Sequence, residues 1–283
     1  MKLGLHMPTM EWEGGPAELG NTLGRVVEAA EEAGFDTITV ADHVWRHPIM
    51  GGPIQNQVEA YTTLGFIAAH TRRVRLLALA TAAPYRPAGL LAKMVTTLDV
   101  LSGGRMMLGI GAGDYPEEAE GLGLAYPSLR ERFEIVEETV QACLRMWDGE
   151  HGDERPFQGE HVRLGRALNV PQSLQRPHPP ILIAGSGEKR TLPLVARYAD
   201  ACNLRPSPEI PRQLELLRRL CDRPAGITTR SRRRRHSASM SARTGPRRAR
   251  SSTGRAPSES VELNAASPVV RWRAGVPSWC TTR

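Results

Sequence analysis

The four cysteines, Cys143, Cys202, Cys221 and Cys280, show no metal or redox spacing, and no apolar run approaches the ~18 residues that cross a membrane. Zinc-ligand spacing, a nucleophile elbow and a catalytic triad are missing too. These absences argue against a zinc or dithiol site, a helical membrane anchor and triad hydrolysis. Cys143 on an apolar helix face and Cys202 in an apolar strand read as small hydrophobes in a reducing cytosol. The chain enters a strand at once, so no signal peptide is expected, and the protein is placed in the cytoplasm and off the membrane.

Lysine is absent from residues 224–283, which carry 13 Arg and 2 Glu, a net +11. The remainder has 24 basic and 28 acidic side chains, a net −4, so the overall +7 averages two unlike sequences. Arg232 to Arg235 and Arg247, Arg248 and Arg250 are clustered, which admits a nucleic-acid reading. The only aromatics there, Trp272 and Trp279, lie far from the arginines, so stacking platforms are lacking. Specific nucleic-acid binding is not expected.

What is present is a repeated strand–helix alternation. Strands are expected at 2–7, 37–41, 74–81, 105–110, 181–184 and 201–204, each short and apolar. Helices are expected at 16–33, 58–70, 87–101, 128–147, 192–198 and 212–221. In the fourth, Ser128 and Glu131 suit a capping box, and Leu129, Phe133, Val136, Val140, Cys143 and Trp147 form a core-facing stripe. Residues 148–179 read as loop with a small hairpin around 157–164. Alternation of this kind implies parallel βαβ units with both sheet faces covered. The expected class is α/β, a TIM (β/α)8-type barrel with about six units present. An open doubly wound sheet is the alternative, but chemical-looking residues follow several strands, as in barrels.

Residues 1–223 are therefore one incomplete barrel domain, and 224–283 an Arg/Ser/Pro-rich tail without apolar periodicity, expected to be disordered. Back-translation of 224–236 with GC-rich codons, read two nucleotides later, gives Gly-Arg-Asp-Tyr-Asp-Ala-Ile-Glu-Lys-Thr-Ala-Pro, a sensible βα continuation. The tail thus reads as out of frame, with the last two units missing.

Four strand exits carry candidate chemistry. Asp42-His43 follows the second strand; an imidazole there can move a proton, or be a loop histidine bonded to a carbonyl, while Asp42 suits a cap. Thr81-Ala82-Ala83-Pro84-Tyr85-Arg86 follows the third, with small residues that admit a flat ligand and an Arg86 either facing an anion or solvated. Gly109 to Gly113 leaves the fourth strand; its glycines do not open a helix, so a dinucleotide fingerprint is rejected, though close approach of a planar ring is allowed. Gly185-Ser186-Gly187 leaves the fifth strand into a helix and suits a phosphate, with Lys189 and Arg190 either adding charge or solvated. Trp12 and Trp45 either wall a pocket or pack.

As a set, Ala41-Asp42-His43, 91–105 with its Leu101-Ser102-Gly103-Gly104-Arg105, Leu108 to Gly113, Arg132-Phe133, 179–185 and 197–203 resemble the luciferase-like monooxygenase family, above all its deazaflavin (coenzyme F420)-dependent branch. The resemblance implies a TIM barrel holding F420, or FMN, at its strand ends. It implies His43 facing the ring as catalytic residue, and Thr81, Ala82 and Ala83 forming a bulge where relatives often hold a non-proline cis peptide. Gly111 and Ala112 would line the ring edge, and Gly185, Ser186 and Gly187 would cradle the phosphate. Some relatives carry an acid just after the fourth strand; Ala112-Gly113 stand there, so that acid is expected to be missing. The expected activity is hydride transfer or monooxygenation of a small organic substrate, with no metal and with a homodimer admitted. A non-catalytic barrel remnant is the alternative.

Overall fold

The computed structural model describes residues 2–222 and 269–271. Six parallel strands carry the chain: β1 (Gly4–Met7), β2 (Thr37–Val40), β3 (Arg75–Ala78), β5 (Met106–Gly111), β8 (Ile181–Ala184) and β9 (Ala201–Asn203). They lie side by side in that order, and all five pairings are parallel. Between them β4 (Thr81–Ala82) pairs with β5, and β6 (Phe157–Gln158) and β7 (Arg163–Leu164) form the expected hairpin. A last strand, β10 (Val269–Arg271), pairs antiparallel with β9. The arginine clusters, and the rest of the tail with its reading-frame question, lie outside the described residues.

The connecting helices are α1 (Gly15–Glu32), α2 (Ala60–His70), α3 (Ala88–Leu101), α4 (Pro116–Gly121), α5 (Leu129–Met146), α6 (Thr191–Tyr198) and α7 (Ile210–Asp222). Helix α1 starts at Gly15 behind a left-handed Gly14, with Pro16 in its first turn, buries Leu23, Val27 and Ala30, and stops before Gly34, whose φ of 86° few other residues adopt. In α5 the capping box forms in both directions between Ser128 and Glu131. Its stripe is buried at Val136, Val140, Cys143 and Trp147, but Leu129, in the first turn, is exposed.

Two apolar layers follow from strand alternation. Ile38, Val40, Leu76, Met106, Leu108 and Ile183 meet the helices, while Leu77, Met107, Leu182 and Ala201 pack together in a separate cluster. A side chain at Gly109 would place its Cβ 2.1 Å from the Ala78 carbonyl oxygen, so glycine there serves strand packing. The signature ending in Arg105 is structural as well. That buried guanidinium donates to the carbonyls of Ala68, Thr71, Val74 and Ser102 and to Thr71 Oγ1, tying the loop before β3 to the start of β5.

The architecture is α/β, a parallel part-barrel of βα units. The third expected strand breaks in two, with a cis peptide at Leu79–Ala80 between β3 and β4. Helix α4 was not expected; at six residues it is too short to show a period.

Candidate functional site

The site is built at the carboxyl ends of β2, β4, β5, β8 and β9. His43 leaves β2, three residues past Val40, and its Nδ1 lies 3.1 Å from Glu118 Oε2. Glu118, on α4, is fully buried. Its Oε1 accepts the amides of Val44 and Trp45 at 2.6 and 2.8 Å, and its Oε2 also lies 3.0 Å from the Tyr85 hydroxyl. One carboxylate thus clasps the β2 exit loop and the turn after β4.

Burial works against ionisation of Glu118, but the hydrogen bond from His43, the Trp45 amide and the phenol of Tyr85 together hold it below the usual carboxylate range. A carboxylate only accepts, so Nδ1 of His43 carries the hydrogen and Nε2 is left as the exchangeable position. Burial alone would lower the His43 imidazole; the Glu118 hydrogen bond and charge, with Asp114 and Asp42, outweigh it and raise it above its ordinary 6.5. Asp114 Oδ1 stands 4.0 Å from His43 Nε2, and Asp114 Oδ2 3.4 Å from Arg205 beyond β9. The rings of His47 and Tyr115 complete the wall, with centroids 5.3 and 6.0 Å from that of His43.

His43 therefore bonds a buried carboxylate, where a loop histidine would bond a carbonyl. The acid expected to be missing after the fourth strand needs correction: Asp114 and Glu118 both follow β5 and both face His43. Asp42 and Arg86 are also reassigned. They form a two-pronged ion pair at 2.6 and 2.9 Å, with Arg86 reaching Glu59 at 2.9 Å, so neither is a cap or a free anion site. Burial, only partly offset by Arg86, raises the Asp42 carboxyl.

The expected bulge at Thr81, Ala82 and Ala83 lies two residues earlier, at Leu79–Ala80. Thr81 is fully buried with its Oγ1 2.7 Å from the Tyr61 hydroxyl of α2, so it faces the helix layer; Ala82 pairs with Gly111, and Ala83 is buried in the core. Gly111 faces inward, where a Cβ would lie 3.7 Å from that of Ala184 and 4.0 Å from that of Ala80, a floor of small residues. Ala112 instead packs against the helix-side core, with its carbonyl and that of Gly113 held by Arg132. Trp45 lies over Gly121, where any Cβ would strike its ring, and Trp12 packs against the core.

Gly185 has φ 115°, and a Cβ on it would lie 3.3 Å from Thr191 Oγ1; one on Gly187 would lie 3.1 Å from the same atom. The Gly185 amide is taken by the Asn203 carbonyl, and the carbonyls of Ser186 and Gly187 accept from Gln213 and Leu192. Among the described residues no acceptor takes the amides of Ser186, Gly187 or Glu188. Asn203 Nδ2, at the end of neighbouring β9, is buried and unpartnered. Two crowded glycines, one of them at a positive φ, three open amides and an orphaned amide nitrogen fit an anionic group at this exit.

Glu118, Asp114, Tyr85 and His47 went unread in the sequence. The one local signal was Tyr115-Pro116-Glu117-Glu118, a proline opening a turn with acids in it.

A sequence profile of the luciferase-like monooxygenase family matches residues 1–228. An F420-dependent glucose-6-phosphate dehydrogenase of Nakamurella multipartita is 36% identical over 193 residues, 66% of this chain and 51% of that protein. One from Nocardia farcinica is 34% identical over 192 residues, 65% of this chain and 51% of that protein. The chain spans about half the length of the curated relatives it matches. Among solved structures, the monooxygenase RslO1 from Streptomyces bottropensis superposes with a TM-score of 0.65 at 27% identity, covering 81% of this chain and 68% of that one. The profile match takes in every strand exit described above, and the chain belongs to the luciferase-like monooxygenase family.

Proposed function

We propose that residues 1–223 form an oxidoreductase domain that binds coenzyme F420 at the carboxyl ends of its strands, with FMN the alternative, and acts on a small organic substrate. The observation that carries the proposal is the shared location of two unlike features. A buried carboxylate orients His43 at one exit, and a side-chain-free cradle with open amides stands at another. The similarity to F420-dependent dehydrogenases favours F420 over FMN.

When bound, F420 supplies hydride transfer, and FMN would instead supply oxygen activation. In the cradle of Gly185, Ser186 and Gly187, the open amides of Ser186, Gly187 and Glu188 would hold the phosphate, with Gly185 shaping the turn and Asn203 Nδ2 donating beside them. Gly111, with Ala80 and Ala184, leaves room for a flat ring. Thr81, Ala82, Ala83 and Ala112 act behind that surface, setting the backbone. His43 is the catalytic residue: Glu118 fixes its Nδ1–H, and Nε2 holds or releases a proton toward the mouth, steadied by Asp114. The cysteine spacing, which suits neither a metal nor a redox site, fits a reducing, cytoplasmic setting. No helix among the described residues is long and apolar enough to cross a membrane. No metal or nucleic-acid partner enters this reading, and a second copy of the chain remains an admitted partner.

A second reading has its own support. The described sheet runs from β1 to β10 without closing on itself, which fits a remnant that folds in part and does not catalyse. Titration of the purified chain with F420 and with FMN, followed by fluorescence, separates the two. Saturable binding of F420 tighter than FMN is expected; failure of both to bind would sink the catalytic reading and leave the remnant.

A further inference from the structure

Tyr85 ends the three-residue turn Ala83–Tyr85 after β4, and its hydroxyl has two neighbours, Glu118 Oε2 at 3.0 Å and the Tyr115 carbonyl oxygen at 3.1 Å. A phenol carries one proton, and Glu118 as a carboxylate has none to give. The charged oxygen is the stronger acceptor, so the Tyr85 O–H goes to Oε2. That atom is also the partner of His43 Nδ1, at 3.1 Å, whereas Oε1 is spent on the amides of Val44 and Trp45. Imidazole and phenol therefore draw on the same carboxylate oxygen.

Sharing has a sign. Each donor to Oε2 spreads its negative charge and lessens what the other donor receives. Without the phenol, Oε2 would hold the His43 proton more strongly.

We propose that Tyr85 is a positioning residue that acts through Glu118 to limit the proton affinity of His43, keeping Nε2 able to release a proton as well as hold one. The inference rests on the reading of His43 as the proton carrier of the mouth. Three βα units meet in it: His43 follows β2, Tyr85 follows β4 and Glu118 follows β5. The groups facing His43 from the elements around it are Glu118 of α4, Asp114 and Tyr115 of the loop before it, and Asp42 and His47 of its own loop. Of these, Tyr115 faces His43 with its ring and meets Tyr85 only through its carbonyl, whereas the Glu118 side chain is hydrogen-bonded to both. Burial first, then the charge of Glu118, pushes the Tyr85 hydroxyl well above its ordinary range, so it stays a donor at any working pH.

The test follows the His43 imidazole by nitrogen NMR across pH in the full chain without cofactor, so it is independent of whether F420 binds. In Tyr85→Phe the midpoint should rise, by roughly two- to tenfold in proton affinity, a fraction of the worth of one hydrogen bond to a charged acceptor, because the effect reaches His43 only through the shared oxygen. A fluorinated tyrosine at position 85 keeps the shape, donates more strongly and should move the midpoint the opposite way. It also serves if the phenylalanine variant does not fold. A midpoint unchanged in a folded variant, or moved in the same direction by both replacements, would overturn the proposal.

Discussion

Two buried glutamates are built alike and placed at opposite ends of the barrel wall. Glu31, in the last turn of α1, accepts the amides of Arg72, Arg73 and Val74 and fixes the loop that enters β3 at its amino end. Glu118 accepts the amides of Val44 and Trp45 and fixes the loop that leaves β2 at its carboxyl end. In both, burial opposes ionisation and the donated hydrogen bonds outweigh it, holding the carboxyl below its ordinary range. The difference lies in what fills the remaining lone pairs. Glu31 spends its second oxygen on the Arg72 amide and the flanking Arg73, whereas Glu118 spends it on an imidazole and a phenol. The same device braces a loop at the amino end and, in our proposal, controls a proton at the carboxyl end, which is where barrel chemistry sits.

The pH signs of the two clasps separate them. Each carboxyl has a lowered native pKa, so the stability it lends is present above the ordinary carboxylate range and is lost as pH falls through the native value. His43 has a raised native pKa, so what it lends is full below 6.5 and is lost as pH rises through the native value. Only the upper clasp therefore has an alkaline limb.

The comparison breaks most visibly at Glu31. Glu31→Ala leaves three loop amides without their acceptor, at about 1–3 kcal/mol for each that water cannot reach. Urea unfolding should show a loss of roughly 3 kcal/mol or more, with the cofactor affinity of the folded fraction unchanged. A loss under about 1 kcal/mol would mean that the amides find other partners and that the lower clasp is not structural.

The next effect sharpens the contrast from within the mouth. Gly185→Val puts a β-branched residue at φ 115° and a Cβ 3.3 Å from Thr191 Oγ1. Strain of about 1–3 kcal/mol is expected. Cofactor binding should weaken at least about tenfold through lost amide contacts, while the His43 midpoint stays put. Equal cofactor affinity in the variant would move the phosphate elsewhere and leave this motif as a turn.

Much of this frame was legible in the chain, and the illegible part has a common cause. Leu23, Val27 and Ala30, or Ser128 with Glu131, announce their helices because the information is local and periodic. The glycines at 185 and 187 announce a tight exit because backbone conformation is a local property as well. The clasps are different. Glu118 lies 75 residues from His43 and 33 from Tyr85, on a helix too short to have a period. Asp42 and Arg86 lie 44 apart, so each alone looked like a cap or a free cation. Which way Thr81 and Ala112 face was illegible as well, because the break at Leu79–Ala80 and the pull of Tyr61 and Arg132 are tertiary events.

The central claim is that the upper clasp governs the proton on His43 and the lower one does not. Its most direct test is the titration of the His43 imidazole by nitrogen NMR in the parent chain, in Glu31→Gln and in Glu118→Gln. Both substitutions keep the shape and an acceptor oxygen while removing the charge. The account expects a parent midpoint above 6.5, the same midpoint in Glu31→Gln, and a clear fall in Glu118→Gln. A midpoint that does not respond to Glu118→Gln in folded protein, or that falls equally in both variants, would contradict it.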